Sequence, residues 1–540
     1  AASDVYKRQY MIWVDRLAQK IKQKNSKKEW VDDMKTPSGQ IHVGSLRGVI
    51  IHDLVYKALK EIGVNVNFSY VFNDMDPMDG LPVYLDKEKY LPHMGKPLYK
   101  IPAPQPKHKN YAEYFAEEFI EVFNKLNCYP QIIYSSKLYQ EGKMNQVIKK
   151  ILNNTEKIKE IYKKITKKEL GKNWYPYNPI CEKCGKIGTT DVYKWDQKYV
   201  HYRCLPYKVG WAKGCGYEGK VEPVGENGKL VWKVDWPAHW QVIGITIESS
   251  GKDHMSSGGS YDVASHIAKE VLNYPPPEAF GGYEWFTIGG RKMSSSKGLG
   301  SSAKEVSEIL PPQVFRFLFV RTPITTHIDF NPNKETLFNL FDEYDRCFYA
   351  YFDKQEGKIP QGKQKEVLTD FARIIELSKI SDLPKKRLYF PRFRTIYNLL
   401  LQKKSNLIVF FEELKNDKLT KEEKLILEER VFYAKKLMKR EEKMLTKNNI
   451  AQTNNFTLND NQKKFLKKLK ENLEVLKTFK KEKIQEVIKK TLKETNIHPK
   501  EAFQAFYFVL IGKLFGPKAT DLIIDLGVKK VINNLVKNVK

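Results

Sequence analysis

The chain has 540 residues, 41% of them hydrophobic and 12% aromatic, which predicts a globular protein of roughly three or four domains with large cores. No apolar run reaches the roughly 18 residues a membrane helix needs, and no charged-then-apolar secretory leader is found, so the expected location is cytoplasmic with no membrane partner. The formal net charge of +29, from 93 Lys and Arg against 64 Asp and Glu, leaves two readings open: a phosphate-rich partner, or the solvated surface of a lysine-rich composition.

Residues 1–10 are read as a non-native or disordered leader, because Met11 is a natural start. A short helix with Trp13, Leu17 and Ile21 at helical spacing leads to the stretch Thr36-Pro37-Ser38-Gly39-Gln40-Ile41-His42-Val43-Gly44-Ser45. A Pro-Ser-Gly turn there runs into a helix carrying Leu46, Val49, Ile50, Leu54, Val55 and Ala58, which ends near Gly63. A turn before a helix offers unpaired N–H groups at the positive end of the helix dipole, a natural phosphate site with His42 in reach. Gly44 removes a side chain where a flat ring would otherwise meet the backbone. The β-rich run Val64–Phe72 follows and stops at Asn73-Asp74-Met75-Asp76-Pro77. Loop, helix, strand and then acids at the strand's carboxyl end open a parallel α/β nucleotide fold. Asp74 and Asp76 then either face a substrate or Mg²⁺, or simply end the strand.

Residues 11–90 are thus assigned to the first half of a nucleotide-binding domain and 91–228 to an insertion. The insertion holds an amphipathic helix around Tyr111–Leu126 and a Lys-rich helical stretch over 141–170. Cys181-x-x-Cys184-Gly, Cys204 and Cys215-Gly follow; four thiolates make a closed tetrahedral site, so a structural Zn²⁺ is expected, the alternative being packed thiols. The other two cysteines, Cys128 and Cys347, lie in apolar surroundings, and six cysteines in a chain this long are no disulfide scaffold. Residues 229–300 read as the second half, with β-rich runs at Leu230–Trp236, Val242–Ile247 and Trp285–Ile288. The last run enters Gly290-Arg291-Lys292-Met293-Ser294-Ser295-Ser296-Lys297-Gly298, whose cations and hydroxyls suit a triphosphate that must be held and released. From about 330 onward β patterns fade and Lys/Glu-rich amphipathic helices such as Glu335–Phe352 and Leu419–Lys439 take over; residues 301–350 are read as a linker and 351–540 as an all-α domain.

The His42-Val43-Gly44-Ser45 and Lys292-Met293-Ser294-Ser295-Ser296 segments, in this order in a split α/β chain, resemble the H-I-G-H and K-M-S-K-S signatures of class I aminoacyl-tRNA synthetases. Within that class the chain resembles the class I type of lysyl-tRNA synthetase from Met11 to at least residue 332. The shared segments include Thr36–Gly39, Val234–Ala238, Gly251-Lys252-Asp253-His254, Gly258-Gly259-Ser260, Pro275-Pro276 and Tyr283-Glu284-Trp285. The Gly-Lys-Asp-His and Gly-Gly-Ser pair separates this type from the glutamyl and arginyl members, which stand as the alternative together with a non-catalytic tRNA-binding relative.

The resemblance implies a class I Rossmann-like fold with a zinc-containing insertion and a C-terminal α-helical anticodon-binding domain. Its implied substrates are ATP with Mg²⁺, L-lysine and tRNA(Lys), and a monomer is expected. It implies catalytic roles for His42, Ser45 and Lys292, and ATP contacts from Pro37, Ser38, Gly39, His42, Gly44, Ser45, Lys292, Met293, Ser294, Ser295, Ser296 and Lys297. The family's lysine pocket falls on Thr36, Trp232, His254 and Tyr283, aromatic faces that suit an ammonium. Its carboxylate partner is open among Asp74, Asp235, Asp253 and Glu284. Three departures stand out. Ser45 and Ser295 replace the second His and second Lys of the signatures. Met34 stands where relatives usually have glycine, at the pocket rim. A second zinc constellation of archaeal relatives reads Ala103, Lys107, His108 and Tyr114 here, so that site is expected to be absent.

Overall fold

A computed structural model describes residues 11–538, except 291–292, 296–300, 361, 405, 454–455, 477, 480, 513 and 517. Helix α1 (Met11–Gln23) buries Val14, Leu17, Ala18 and Ile21. Strand β1 (Glu29–Lys35) follows, then helix α2 (Leu46–Glu61) and strand β2 (Val66–Phe72). Helix α3 (Tyr111–Lys125), started by the Asn110 side chain accepting from the Glu113 N–H, leads to strand β3 (Gln131–Tyr134). The three strands form one parallel sheet in the order β1-β2-β3, with Glu29 opposite Val66 and Ser69 opposite Gln131. Parallel pairing brings Lys35, Phe72 and Tyr134 to one edge, where ligands of such sheets bind.

Strand β1 is a strand that sequence patterning misses. Glu29-Trp-Val-Asp-Asp-Met-Lys has no apolar/polar alternation, because both faces are covered and the acids on them are buried. On its other side β1 receives the second half of the domain: Val31 bridges Ile247 in parallel, and Ile247 bridges Glu278. Gly251 bridges Tyr283, and Phe286–Thr287 pairs in parallel with Ile328–Asp329.

Two expected strands are corrected. Of the first, Leu230–Trp236, only Leu230 lies in a strand, as the end of Gly228–Leu230 paired with Tyr177–Pro179; Trp232–Ile243 is helix α4, and Val242 and Ile243 end it. Its aromatic and β-branched content imitates a strand, but Trp232, Trp236 and Trp240 recur at four-residue intervals along one face, the first two stacked and the third tilted against Trp236 at 5.4 Å. Gly244, at φ 89°, closes the helix in a conformation that favours glycine. Ile247 is then held only by its bridges, and the strand expected at Trp285–Ile288 is reduced to Phe286–Thr287.

The insertion carries helices Asn145–Asn153 and Thr155–Thr166 and an antiparallel sheet of Thr190–Trp195, Val200–Cys204 and Glu218–Val221. Beyond Lys334 the described elements are helices, among them Lys334–Gln355, Lys363–Ser378 and Phe393–Leu401. The chain divides into two compact units at Tyr433/Ala434, inside the long helix Lys421–Thr453. The second unit has its own core, built from Phe465, Leu466, Leu469, Leu473, Ile484, Phe506, Ile523, Val531 and Leu535 among others. Among the described residues no helix is long and apolar enough to cross a membrane.

Two buried arginines fasten the first unit. Arg316 donates to Asp53 on α2 at 2.6 Å and to the carbonyls of Leu126 and Leu377, each at 2.9 Å. Arg430 donates to Asp345 at 2.8 Å and to the Pro391 carbonyl at 2.9 Å.

Candidate active site

At the carboxyl edge of the sheet lies a cavity of about 420 Å³. Asp33, Met34, Lys35 and Thr36 from the end of β1 line it, with His42, Gly44 and Ser45 from the following loop. Trp232 and Trp236 of α4 close another side, and Glu248, Asp253, His254 and Tyr283 come from the second half of the domain. A second cavity of about 200 Å³ adjoins it, lined by Glu284, Trp285, Phe286, Thr287 and Met293. His42, Gly44 and Tyr283 line both.

The first cavity has an acidic base. Residues 31, 33 and 35 share one face of β1, which turns the Asp33 carboxylate into the cavity. Gly48 on α2 leaves room for it: a Cβ there would lie 2.5 Å from Asp33 Oδ2 and 2.7 Å from the Tyr283 hydroxyl. Burial pushes the Asp33 carboxyl up to about 7, although the Met34 N–H donates to it at 2.9 Å. Glu248 is likewise pushed up to about 8 by burial, against the indole N–H donors of Trp236 at 3.0 Å and Trp240 at 2.5 Å. Asp32, on the opposite face of β1, is raised by burial and by the Glu248 charge. Carboxylates so short of compensation favour an arriving cation.

Aromatic walls flank this base. The Trp232 and Trp236 rings stack with centroids 5.2 Å apart, and the His254 ring meets them edge-on at 5.9 and 6.2 Å. A chain of charges fixes the rim: the Thr36 hydroxyl donates to Asp76 at 2.5 Å, Lys229 bridges Asp76 at 2.9 Å and Asp235 at 2.7 Å, and Tyr139 donates to Asp235 at 2.5 Å. Burial alone would lower the Lys229 ammonium, but Asp235 and Asp76 carry it well above its usual range.

The loop between the cavities is built by the two signature segments together. The His42 N–H donates to the Ser295 hydroxyl at 3.2 Å, and a Cβ on Gly39 would run into the Ser295 carbonyl. The Val43 N–H donates to the Ser301 carbonyl at 3.1 Å and the Ala303 N–H to the Ile41 carbonyl at 2.9 Å. Gly44 is bare because a Cβ would lie 3.0 Å from His42 Nδ1 and 3.1 Å from the Phe286 carbonyl. His42 Nδ1 is buried with no hydrogen-bond partner among the described residues. Burial first, and then the Lys35 charge, push this imidazole down to about 3, so it is neutral when the site is empty.

The expected site residues therefore divide. Thr36, His42, Gly44, Ser45, Trp232, Asp253, His254 and Tyr283 meet around the first cavity, and Met293 lines the second. Pro37, Ser38, Gly39, Ser294 and Ser295 lie in the loops that frame them, Ser38 accepting from the Tyr111 hydroxyl at 3.0 Å. Lys292, Ser296 and Lys297 fall outside the described residues. Asp74 and Asp235 are not among the lining residues. The Asp74 carboxylate is taken by the Ser136 N–H at 2.7 Å and the Ser135 and Ser136 hydroxyls at 3.0 and 2.5 Å. Asp235 is committed to Lys229 and Tyr139, and Glu284 pairs with Lys252 at 2.6 Å beside the second cavity. Sequence reasoning missed Asp33, Lys35 and Glu248, whose signal is a position at the carboxyl end of a strand or bridge. Met34 does line the cavity, with its sulfur accepting from Asn73 Nδ2 at 3.5 Å.

In the insertion, the Sγ atoms of Cys181, Cys184, Cys204 and Cys215 all lie within 4.8 Å of one another. Cys181 and Cys215 are 3.6 Å apart, as are Cys184 and Cys204, near the ~3.8 Å that a tetrahedron of thiolates at ~2.3 Å requires. Gly185 and Gly216, at φ 70° and 77°, make the turns behind two of them. His108 meets Tyr114 edge-on at 4.9 Å and pairs with Glu117 at 2.7 Å.

A parallel nucleotide-binding sheet whose two halves bring a His-Val-Gly-Ser loop against a Met-Ser-Ser loop defines a class I synthetase architecture. The family model "tRNA synthetases class I (K)" matches residues 11–380, and "Anticodon binding domain" matches 415–538. The chain belongs to the class I tRNA synthetases of type K. Among similar proteins, the lysine–tRNA ligase of Picrophilus torridus is 33% identical over 92% of this chain and 94% of its own length. That of Methanosarcina barkeri is 33% identical over 94% of both chains, and that of Methanocaldococcus jannaschii 34% identical over 97% of this chain and 99% of its own.

Proposed function

We propose that the chain is a lysine–tRNA ligase that activates L-lysine with ATP and transfers it to the terminal adenosine of tRNA(Lys). The observation that carries this reading is the first cavity: buried carboxylates at its base, stacked tryptophans on its wall and His42 on the side it shares with the second cavity. A substrate ammonium is received by Asp33 and Glu248, with Trp232 supplying a cation–π face. Thr36, held by Asp76, and His254 position the amino acid; Asp253 adds charge at the rim. The apolar second cavity takes the adenine, and the shared wall of His42 and Gly44 puts the α-phosphate between the two.

In this reading the lysine carboxylate oxygen bonds to the α-phosphorus, and the bond from that phosphorus to the bridging oxygen breaks. Pyrophosphate then departs with the electron pair. No general base is needed, so catalysis rests on alignment and charge stabilisation. The unpartnered His42 Nδ1 and the backbone at Gly44 attend the α-phosphate, while Lys292, Ser294, Ser295, Ser296 and Lys297, with Mg²⁺, attend the β- and γ-phosphates. In the second step the 2′-hydroxyl oxygen of the terminal adenosine bonds to the acyl carbon, the bond from that carbon to the phosphate oxygen breaks, AMP leaves with the electron pair and the hydroxyl proton is released. Cys181, Cys184, Cys204 and Cys215 fit a structural Zn²⁺, since their four sulfurs converge within 4.8 Å of one another, as a tetrahedral thiolate site requires. The expected start of the insertion at residue 91 is corrected by strand Gln131–Tyr134, which pairs with β2 in the parallel sheet: the first half of the split catalytic domain runs through Tyr134, the insertion covers 135–228, residues 229–300 supply the second half, 301–350 the linker and 351–540 the anticodon-binding part.

Lysine-dependent ATP–pyrophosphate exchange, measured with tRNA present across a panel of amino acids, tests the reading. Exchange with lysine far above that with glutamate or arginine is the expected result. No exchange with lysine, or a stronger one with another amino acid, overturns it.

A further inference from the structure

Lys35 ends β1, and its backbone is committed: it pairs with Phe72, and its carbonyl accepts from the Asn73 N–H at 3.0 Å. Its side chain follows Asp33 on the same face and enters the first cavity. There it has no hydrogen-bond or ion-pair partner among the described residues. Its charge acts on Asp33, His42 and His254, which line the same cavity. An uncommitted ammonium thus shares the cavity with the acids of its base and with His42. Two neighbouring lysines at this end of the sheet are already engaged, for Lys229 bridges two aspartates and Lys252 pairs with Glu284.

That position has a chemical meaning for adenylate formation. The two groups that must meet, a carboxylate and a phosphate, are both anions, and in a partly desolvated cavity their repulsion is larger than in water. The acids at the cavity base attract the substrate's ammonium but add to the repulsion of its carboxylate. A cation in the same cavity relieves both.

We propose that Lys35 is a catalytic residue of the first step, whose ammonium pairs with the α-carboxylate of bound lysine and holds it against the α-phosphate beside His42. This rests on the functional reading above. Lys35 gives up no proton: the carboxylate oxygen gains the bond to phosphorus, pyrophosphate takes the electron pair, and the ammonium then faces the uncharged acyl group of a mixed carboxylic–phosphoric anhydride in place of a full carboxylate. Its attraction therefore weakens after reaction, which frees the acyl carbon for the tRNA hydroxyl.

The test compares the parent chain with Lys35→Met and Lys35→Arg in lysine-dependent exchange, and measures the thermal shift given by lysinol, which lacks the carboxylate. Loss of the cation should lower kcat/KM for lysine about 100-fold, as removal of one charge-stabilising donor does. Lys35→Arg should recover most of that loss, and lysinol should shift the parent and Lys35→Met equally. Equal exchange in Lys35→Met and parent, or lysinol weakened as much as lysine, overturns the role. Lys35→Gln, which keeps a polar group in the cavity, gives the same comparison if the methionine variant does not fold. A parent without lysine-dependent exchange points instead to failure of the functional reading itself.

Discussion

On the proposed reading, amino-acid choice turns on Asp33, which lines the first cavity. With its carboxyl raised to about 7 and Glu248 raised to about 8 by burial, the empty site keeps protons that the unfolded chain releases near pH 4. The native state therefore binds more protons between about pH 4 and 8, and the contribution of this pair to stability falls as pH rises through that window. A bound ammonium reverses the sign, because it favours the ionised acids. The thermal shift produced by lysine should accordingly grow from pH 6 to pH 8, and a shift independent of pH would remove the acids from recognition. Asp33→Asn, nearly isosteric, should raise KM for lysine by about 100-fold, the scale of a lost charge-assisted contact, with little change in KM for ATP. His42→Ala removes the group at the shared wall; kcat for adenylation should fall about 100-fold or more while the melting temperature stays close to the parent's.

At the level of elements, legibility followed the reach of the signal. Helix α2 and strand β2 were readable because their apolar residues keep a local period, and the two signature loops because their chemistry lies within ten residues. Strand β1 was not, since its acids are buried by a partner segment more than 200 residues away, at Ile247 and Glu248. Helix α4 was misread for a related reason: its three tryptophans serve the cavity and the core, and bulky aromatics raise strand propensity wherever they stand. The carboxylate partner was the least legible feature, because an aspartate facing a cavity and one spent on neighbouring serines, such as Asp74, look alike in sequence. In the cysteine sheet, the 3.6 Å sulfur pairs lead to a direct expectation. The protein should carry one equivalent of zinc by metal analysis, and Cys184→Ser should lose it, with local loss of amide protection over 181–216. A metal-free native protein would count against the site.

For the first unit as a whole, the buried Arg316 links α2, the segment after α3 and the helix ending at Ser378 through Asp53, Leu126 and Leu377. Asp53→Ala would strand that guanidinium in the interior, and stability to urea should fall by about 3–5 kcal/mol, since the penalty of an uncompensated buried charge exceeds the worth of the pair. A fall below about 1 kcal/mol would mean that the backbone carbonyls alone satisfy it.

His42, Gly44 and Tyr283 form a wall common to two cavities rather than a boundary between them. One molecule long enough to fill both would therefore lose its rotational and translational freedom only once. A non-hydrolysable aminoacyl-sulfamoyl adenosine bearing the lysyl group should bind far more tightly than lysinol and adenosine together predict, the excess being the effective concentration that the partition supplies. On the proposed reading the same wall divides the selectivity for such a ligand: Trp285, Phe286 and Met293 face the adenosine side, and discrimination between amino acids comes from the first cavity, with Asp33, Glu248, Thr36, His254 and the stacked tryptophans.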